Sequence, residues 1–417
     1  MPAPGKLSRE QSFLTAVIAG VQFINILEFV IVMPLGPYFR QIGVGESQMG
    51  FLGMAYTGAA CISGLIGAPI LDRFDRKKAL VFCLVGLVSG TASCALAVSL
   101  PTLMAARALA GAFGGPATAL SMAIIADRIP NELRGRAMGR VLSAFSIASV
   151  GGIPLGLLLA ENTTWREPFL VICAMGLGVA LGALRALPSM TGHLLLEKHH
   201  VSTQELLAKP QVRWSYAMTA TVMLAGFIVI PNISNYLTLD FGIGVTDLKY
   251  LYLFGGIGNY LAANAAGQAV DRWGSMRVAV VGAAIVMAVT FQVFYLGSLW
   301  PQPFVLFTCF MVGMGIRNVA HSTLATKVPA ANERGRFQSL QSSVQHAATA
   351  MAGAAGPLLL SVHETPAGKR LEGMPILAVV SLSLTLLIPL LMWRVEAYLK
   401  SPPVDRVGGV AVSGSHQ

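Results

Sequence analysis

The amino-acid sequence predicts an all-α membrane protein with twelve transmembrane helices in two pseudo-symmetric six-helix bundles. Three observations lead to this fold class: the composition, the recurrence of long apolar segments, and an internal repeat. Of the 417 residues, 54% are hydrophobic and only 12% are charged, which is about half the charged share of a typical soluble domain. A surface this apolar suits a lipid bilayer, which a helix crosses with about 20 apolar residues.

Apolar segments of suitable length follow one another along the chain in two sets of six. We predict the first six helices at 12–35, 48–71, 79–100, 102–126, 137–160 and 167–187. We predict the second six at 214–239, 248–270, 276–298, 302–326, 337–361 and 374–397. These helices divide the chain into five predicted regions: a cytoplasmic N-terminus (1–11), a first bundle (12–187), a central cytoplasmic loop (188–212), a second bundle (213–397) and a cytoplasmic tail (398–417).

The basic residues are unevenly distributed between the two ends of the predicted helices. With both termini in the cytoplasm, 22 of the 29 Lys and Arg residues lie on the cytoplasmic side, five lie outside, and Arg107 and Arg317 lie within helices. An excess of cytoplasmic positive charge is the usual topology signal of a membrane protein. It accounts for the net charge of +10 without a nucleic-acid partner. The short loops favour a bacterial inner membrane as the location.

The two halves of the chain repeat each other. The pair Asp72-Arg73 after the second predicted helix recurs as Asp271-Arg272 after the eighth, 199 residues later. The run Arg134-Gly135-Arg136 after the fourth helix recurs as Arg334-Gly335-Arg336, 200 residues later. Two independent motifs with nearly the same offset indicate a duplicated six-helix unit. Transporters built this way bind substrate near the midplane, between the repeats.

Four segments carry a more specific resemblance, to the major facilitator superfamily. The loop Asp72–Lys77 looks like motif A of that family, Arg107–Gly115 resembles motif B, and Ser149–Gly156 is similar to motif C of its antiporter branch. The segment Ile24–Pro34 resembles the first-helix signature of the twelve-helix drug and sugar efflux permeases. The chain departs from motif C at Ile153, which stands where the family usually has Gly before Pro.

The resemblance implies a proton-coupled exporter that moves a small organic, drug-like or sugar-like compound by alternating access. Because motif C is imperfect, a proton-coupled or facilitative importer of a metabolite remains the alternative, and a non-transporting receptor on the same fold is a more remote one. We expect no enzymatic activity, cofactor or metal, since the sequence contains no nucleophile–base or metal-ligand constellation and no phosphate-binding loop. We expect a monomer whose partners are the substrate, protons and the bilayer.

Glu28 is the one acidic residue that the predicted helices place away from a helix end. An ionised carboxylate near the centre of a membrane helix costs about 2.5–3.5 kcal/mol, so Glu28 needs a proton, a partner or water. Helix geometry places Glu28 roughly 10 Å and Arg107 roughly 8 Å below the same surface, which makes Arg107 the natural partner. We expect Glu28 to carry a proton. The alternative is a static ion pair, or a carboxyl group that faces a wet vestibule.

The resemblance to motif B extends a role in proton coupling to Arg107, whose alternative role is a structural contact between helices. Gln22 and Asn25 precede Glu28 on the same side of the first helix, and this polar stripe indicates either a substrate cavity or interhelical hydrogen bonds. Further cavity candidates lie in the second half: Asn232, Asn235, Asn259, Arg317, His321, Gln345 and His346. We interpret Arg317 either as a gate at the inner mouth of the cavity or as a side chain that snorkels to the surface.

The motif A residues and their repeats predict a mechanical device at the cytoplasmic helix ends. In the family, the counterpart of Asp72 holds the two halves together on the inner side, and repeat symmetry extends this role to Asp271. The conformational latch therefore comprises Asp72, Arg73, Arg76, Asp271 and Arg272, with topology signalling alone as the alternative. Small residues and a proline predict close packing and hinges between helices: Gly111, Gly115, Gly151, Gly152, Pro154 and Gly156.

Overall fold

The computed structural model describes residues 7–71, 73–191, 203–330, 333–366 and 368–400, and nearly all of these are helical. The proposed latch residue Asp72 lies outside the described residues, as do 1–6, residues 192–202 of the predicted central loop and the tail from 401 onward.

The first half contains seven helical pieces that form six spans. They are α1 (Arg9–Ile31), α2 (Met49–Leu71), α3 (Arg76–Ala95), α4 (Leu100–Arg128), α5 (Asn131–Ile147), α6 (Ile153–Asn162) and α7 (Glu167–Ala186). A π-helical turn, Ala148–Gly152, joins α5 to α6, so the two pieces form the fifth span. Pro154 lies in the first turn of α6, directly after the π-turn, where it donates no backbone hydrogen bond to a preceding carbonyl.

The second half follows the same plan. Its helices are α8 (Thr203–Ala208), α9 (Pro210–Phe227), α10 (Ile233–Asp240), α11 (Leu248–Trp273), α12 (Ser275–Thr290), α13 (Pro303–Ala325), α14 (Arg334–Leu359) and α15 (Met374–Lys400). The seventh span breaks at a 3-10 turn around Pro231, between α9 and α10. Among the described residues, ten helical segments are long and apolar enough to cross a membrane. The more polar α11 and α14, of 26 residues each, complete the twelve.

The packing of the helices repeats between the halves. The pairs α2–α4, α3–α4 and α1–α5 have their counterparts in α11–α13, α12–α13 and α9–α14. One close contact is repeated as well. A Cβ atom on Gly90 would lie 2.4 Å from the backbone N of Ala110, and one on Gly282 would lie 2.6 Å from that of Arg317. The structure therefore confirms an all-α membrane fold of two pseudo-symmetric six-helix bundles.

One element departs from the predicted all-helical pattern. The polar link before the last helix forms a two-stranded antiparallel hairpin, β1 (Ser361–Thr365) and β2 (Gly368–Glu372), in which Val362 is paired with Leu371. Leu371 is buried, and its N–H donates to the Asp240 carboxylate at the end of α10 at 3.0 Å. The hairpin is thus fixed to the second bundle.

Because the chain crosses twelve times, the described chain begins and ends on one face, the terminal face; we call the opposite face the distal face. The two bundles meet near the distal face, where α2 packs along α14, and α11 packs against the π-turn and α6. At the first of these contacts, a Cβ atom on Gly50 would lie 1.9 Å from the carbonyl oxygen of Gly353. The helix backbones of the two halves therefore touch there.

Candidate functional site

Glu28 on α1 and Arg107 on α4 form an ion pair in the interior of the first bundle. Both side chains are fully buried, at 0% exposure. Arg107 Nη1 donates to the Glu28 carboxylate and also to the backbone carbonyl oxygen of Glu28 at 3.1 Å. The structure thus brings together the two residues that the helix depths paired.

The guanidinium of Arg107 is held by more than the carboxylate. Its Nη2 lies 3.5 Å from the carbonyl oxygen of Phe29, and its carbon Cζ lies 4.6 Å from the centre of the Tyr56 ring. An arginine over an aromatic face gains a further electrostatic attraction in a dry environment. Arg107 is therefore also held by contacts that do not depend on the charge of Glu28.

One oxygen and one nitrogen of the ion pair remain available for a further hydrogen bond. Among the described residues, Glu28 Oε2 and Arg107 Nε have no hydrogen-bond partner. A carboxylate oxygen without a donor is an acceptor that a proton can occupy. Protonation would leave the guanidinium without a counter-charge in a medium of low dielectric constant, where charge interactions are much stronger than in water. The proton occupancy of Glu28 and the charge balance of the first bundle are therefore linked.

Asn25, one turn before Glu28, connects three helices. Its Nδ2 donates to the carbonyl oxygen of Gly114 at 2.9 Å and to Thr118 Oγ1 at 2.6 Å, and its Oδ1 accepts from the Tyr56 hydroxyl. These are the interhelical hydrogen bonds that were the alternative to a cavity role. Gln22 is also buried, and its Nε2 has no partner among the described residues.

Arg317 on α13 is the buried cation of the second bundle, and it too is 0% exposed. Its Nη2 reaches two neutral acceptors, the carbonyl oxygen of Val222 at 3.5 Å and Met314 Sδ at 3.0 Å. One turn further, His321 Nε2 lies 3.0 Å from Thr219 Oγ1 on α9. The snorkelling alternative is wrong for Arg317, because its side chain points into the bundle and not to the surface.

The other second-half candidates lie in different surroundings. Asn235 donates across the two bundles to the carbonyl oxygen of Glu46 at 2.8 Å, so it belongs to the distal contact. Asn232 is buried at the break of the seventh span, and both its side-chain polar atoms lack a described partner. Asn259 is buried beside Gly315 on α13. Gln345 and His346 are half-buried on α14.

The predicted packing glycines are close to neighbouring helices, with one exception. A Cβ atom on Gly111 or Gly115 would lie 2.0 or 2.7 Å from a carbonyl oxygen of α2, and one on Gly152 or Gly156 would lie 2.6 Å from a side chain of α1. Gly151 has open space around it. It borders an apolar groove of about 530 Å³ between α1, α6 and α7, so no close packing contact with a described residue is seen for it and its role as a hinge stays a prediction.

The motif A segment contains a contact that sequence reasoning missed. Asp75 caps the N-terminus of α3 by accepting from Lys77 N at 2.9 Å, and it also accepts from Met190 N at 2.9 Å and Ser189 Oγ at 2.6 Å. Burial raises the pKa of Asp75, but these three hydrogen bonds, helped by the charge of Lys78, outweigh it and hold the pKa below its usual value. Asp75 therefore fastens α3 to the chain after α7.

The remaining latch candidates lie at the terminal face. Arg76 is largely buried and its Nε lies 3.1 Å from Asp127 Oδ2 within the first bundle. Arg73, Asp271 and Arg272 are exposed.

Two further residues that sequence reasoning missed are Tyr56, which lies under Arg107, and Glu46 at the distal face. The polar tip of Tyr56 in an otherwise apolar helix was a usable signal, but Glu46 looked like an ordinary loop residue.

A twelve-span duplicated bundle with one buried ion pair between its helices defines a polytopic membrane protein of the secondary transporter class. The family model of the Major Facilitator Superfamily matches residues 18–353 and again residues 216–410. The chain belongs to this superfamily. Family and fold point to a transporter and not to an enzyme.

Individual relatives are distant. A chloramphenicol resistance protein of Streptomyces lividans is 25% identical over 334 residues, which cover 80% of this chain and 84% of the relative. The purine ribonucleoside efflux pump NepI of Escherichia coli O157:H7 is 27% identical over 268 residues, 64% of this chain and 66% of the pump. A crystal structure of a D-xylose-proton symporter superposes with a TM-score of 0.74 at 17% identity, covering 92% of this chain and 97% of the symporter. The structural likeness supports the fold alone.

Proposed function

We propose that this protein exports a small organic compound in exchange for protons, with Glu28 as the proton carrier. The observation that carries the proposal is the buried Glu28–Arg107 pair, whose carboxylate keeps one oxygen without a described partner. The direction is supported by two relatives named for chloramphenicol resistance and for purine ribonucleoside efflux. We also propose that the terminal face is cytoplasmic, as the positive charge bias predicts, and that the protein works as a monomer in a bacterial inner membrane.

The coupling follows from the charge balance of the pair. While Glu28 is ionised, it holds Arg107 and the first bundle interior is neutral. A proton that arrives from the distal face neutralises Glu28 and leaves Arg107 attached only to backbone carbonyls and the Tyr56 ring. The bundle then carries an uncompensated charge and changes its preferred arrangement. Release of the proton towards the cytoplasm restores the pair and completes the cycle.

The contact between the bundles supports loading from the cytoplasm. Three polar contacts join the halves at the distal face: Asn235 to the Glu46 carbonyl, Lys249 to Glu161, and Lys369 to Glu46. With the distal side held together in this way, the conformation described here fits the stage at which an exporter accepts its cargo from the terminal side. The latch residues of motif A would engage in the opposite conformation.

The test is transport by purified protein in liposomes with chloramphenicol, a purine ribonucleoside and benzoate as probes. We expect Glu28→Gln to abolish substrate-dependent proton movement, because the amide cannot exchange a proton, while Glu28→Asp retains part of it. The matched control is Glu364→Gln, because the side chain of Glu364 is 82% exposed on the hairpin. Undiminished proton-driven flux in Glu28→Gln would refute the coupling.

Direction is tested separately in membrane vesicles. An exporter accumulates the probe in everted vesicles when their lumen is acidic, whereas right-side-out vesicles with an acidic exterior lose it. Accumulation in right-side-out vesicles under an inward proton gradient would instead establish the importer that the imperfect motif C leaves open.

A further inference from the structure

The interior of the second bundle holds a positive charge without a described counter-charge. Arg317 is 0% exposed, and the described part of the chain gives it no acidic partner. Its Nε and Nη1 have no hydrogen-bond partner among the described residues. The guanidinium remains protonated in proteins, so the charge is permanent.

The groups around Arg317 do not neutralise it. Val222 and Gly226 face it from α9, and Met314 and His321 flank it on α13. All of these are neutral or, in the case of His321, able to become positive. The described acidic residues of the second half lie at helix ends, in the hairpin or in loops: Glu205, Asp240, Asp247, Asp271, Glu333, Glu364, Glu372 and Glu396.

We propose that Arg317 is the recognition site for an anionic group, a carboxylate or a phosphate, on the transported compound. The planar guanidinium matches both groups, because each offers two oxygens to parallel N–H donors. Arg317 has two nitrogens available for such a contact, and one of its present acceptors, the Val222 carbonyl, is distant at 3.5 Å. The inference rests on the proposed transport function and specifies the chemical class of the cargo.

The charges of the two bundles support this assignment. Glu28 and Arg107 cancel each other in the first bundle, so Arg317 leaves the described interior with one net positive charge. An ion in a medium of low dielectric constant is strongly unfavourable unless it is paired. A monoanionic cargo would supply the missing charge when it binds and would remove it when it leaves, so binding and release would each change the preferred conformation.

The test is equilibrium binding to the full-length protein in lipid nanodiscs at constant ionic strength. The probes are benzoate and phenyl phosphate, with benzamide as the neutral analogue of benzoate. We expect either or both anions to bind and benzamide to bind at least tenfold more weakly. In Arg317→Gln the anion affinity should also fall at least tenfold, and Arg317→Lys should recover part of it. The control is Arg394→Gln, because Arg394 is exposed at the end of α15.

Thermal unfolding without ligand separates recognition from a structural role. If Arg317 serves the cargo, Arg317→Gln removes an unpaired buried charge and raises the unfolding midpoint. If Arg317 instead anchors α13 to α9 through Val222, the midpoint falls. Equal binding of benzamide and benzoate, unchanged anion affinity in Arg317→Gln, or a lower midpoint in that variant each overturns the proposal. None of these readouts requires proton transport, so they stand apart from the Glu28 experiment.

Discussion

Arg107 and Arg317 are fully buried arginines on corresponding helices of the two bundles, α4 and α13, yet their surroundings differ. Arg107 is held by a carboxylate, two backbone carbonyls and an aromatic ring, whereas the described contacts of Arg317 are to a neutral carbonyl and a thioether. The duplicated fold thus presents one neutralised and one unneutralised cation. The difference suggests that the first bundle handles the proton and the second handles the cargo.

The depths of the two arginines differ as well. Arg107 is seven residues from the distal start of α4 at Leu100, and Arg317 is 14 residues from the start of α13 at Pro303. At 1.5 Å per residue these positions are about 10 and 21 Å below the distal end of each helix. The proposed proton site therefore lies nearer the distal face, and the proposed anion site lies nearer the terminal face.

The largest effect is expected when the ion pair of the first bundle is broken, so that the two bundles no longer differ in this respect. Arg107→Gln leaves Glu28 buried without its partner, and the loss of one member of a buried pair typically costs about 3–5 kcal/mol. Protonation of Glu28 offsets part of that cost, so the loss should shrink as pH falls. Chemical unfolding in detergent micelles at several pH values measures it. A double variant with Glu28→Gln should be more stable than Arg107→Gln alone; additive losses would contradict the pairing.

A smaller effect tests whether the two bundles must touch for the cycle to run. Gly50→Ala places a Cβ atom against the Gly353 carbonyl, which would lie only 1.9 Å away, and overpacking of this kind costs about 1–3 kcal/mol. We expect the distal face to open and transport to fall. Gly53→Ala on the same helix is the control, because nothing lies within 4 Å of its added Cβ. Equal transport by the two variants would rule out a requirement for this contact.

The smallest effect tests a difference between the motif A segment of the first half and its repeat in the second half. Asp75 caps α3, whereas its repeat, Gly274, begins α12 with a positive φ of 85° and no side chain. Asp75→Asn keeps an acceptor for the cap but loses the charge that strengthens the three hydrogen bonds, so it should cost less than the roughly 1 kcal/mol of a deleted cap. Because the folded pKa of Asp75 is lowered, its stabilisation is complete above the unfolded value near pH 4 and is lost as pH falls through the folded value.

Thermal unfolding of wild type and Asp75→Asn between pH 3 and pH 7 measures this dependence. The two proteins should differ at neutral pH and converge in acid. The variant Ser189→Ala removes one of the three hydrogen bonds and should give a fraction of the same change. A difference that persists unchanged at low pH would mean that packing, and not the charge of Asp75, fastens α3.

The sequence was sufficient for the features that depend on periodicity and depth. Apolar length predicted the twelve spans, the two repeated motifs predicted the duplication, and helix rise brought Glu28 and Arg107 to one level. Residue spacing does not say which neighbour a side chain meets. For that reason the sequence left Asn25 open between a cavity and interhelical contacts, and the structure shows three hydrogen bonds from it to α2 and α4. The hairpin depends on pairing between Val362 and Leu371, which no local signal in a short polar link reveals.

The contact between the halves at the distal face is sensitive to the salt concentration on that side. Glu46 Oε1 lies 3.0 Å from Arg40 Nε and 3.9 Å from Lys369 Nζ, and the side chains of both cations are more than 40% exposed. Mobile ions screen such exposed pairs over about 8 Å at physiological ionic strength, and over less in brine. If this face is turned outward, rising salinity loosens the closed mouth without any change in the cargo. An exporter of the kind proposed would then cycle at a rate that depends on the external salt concentration.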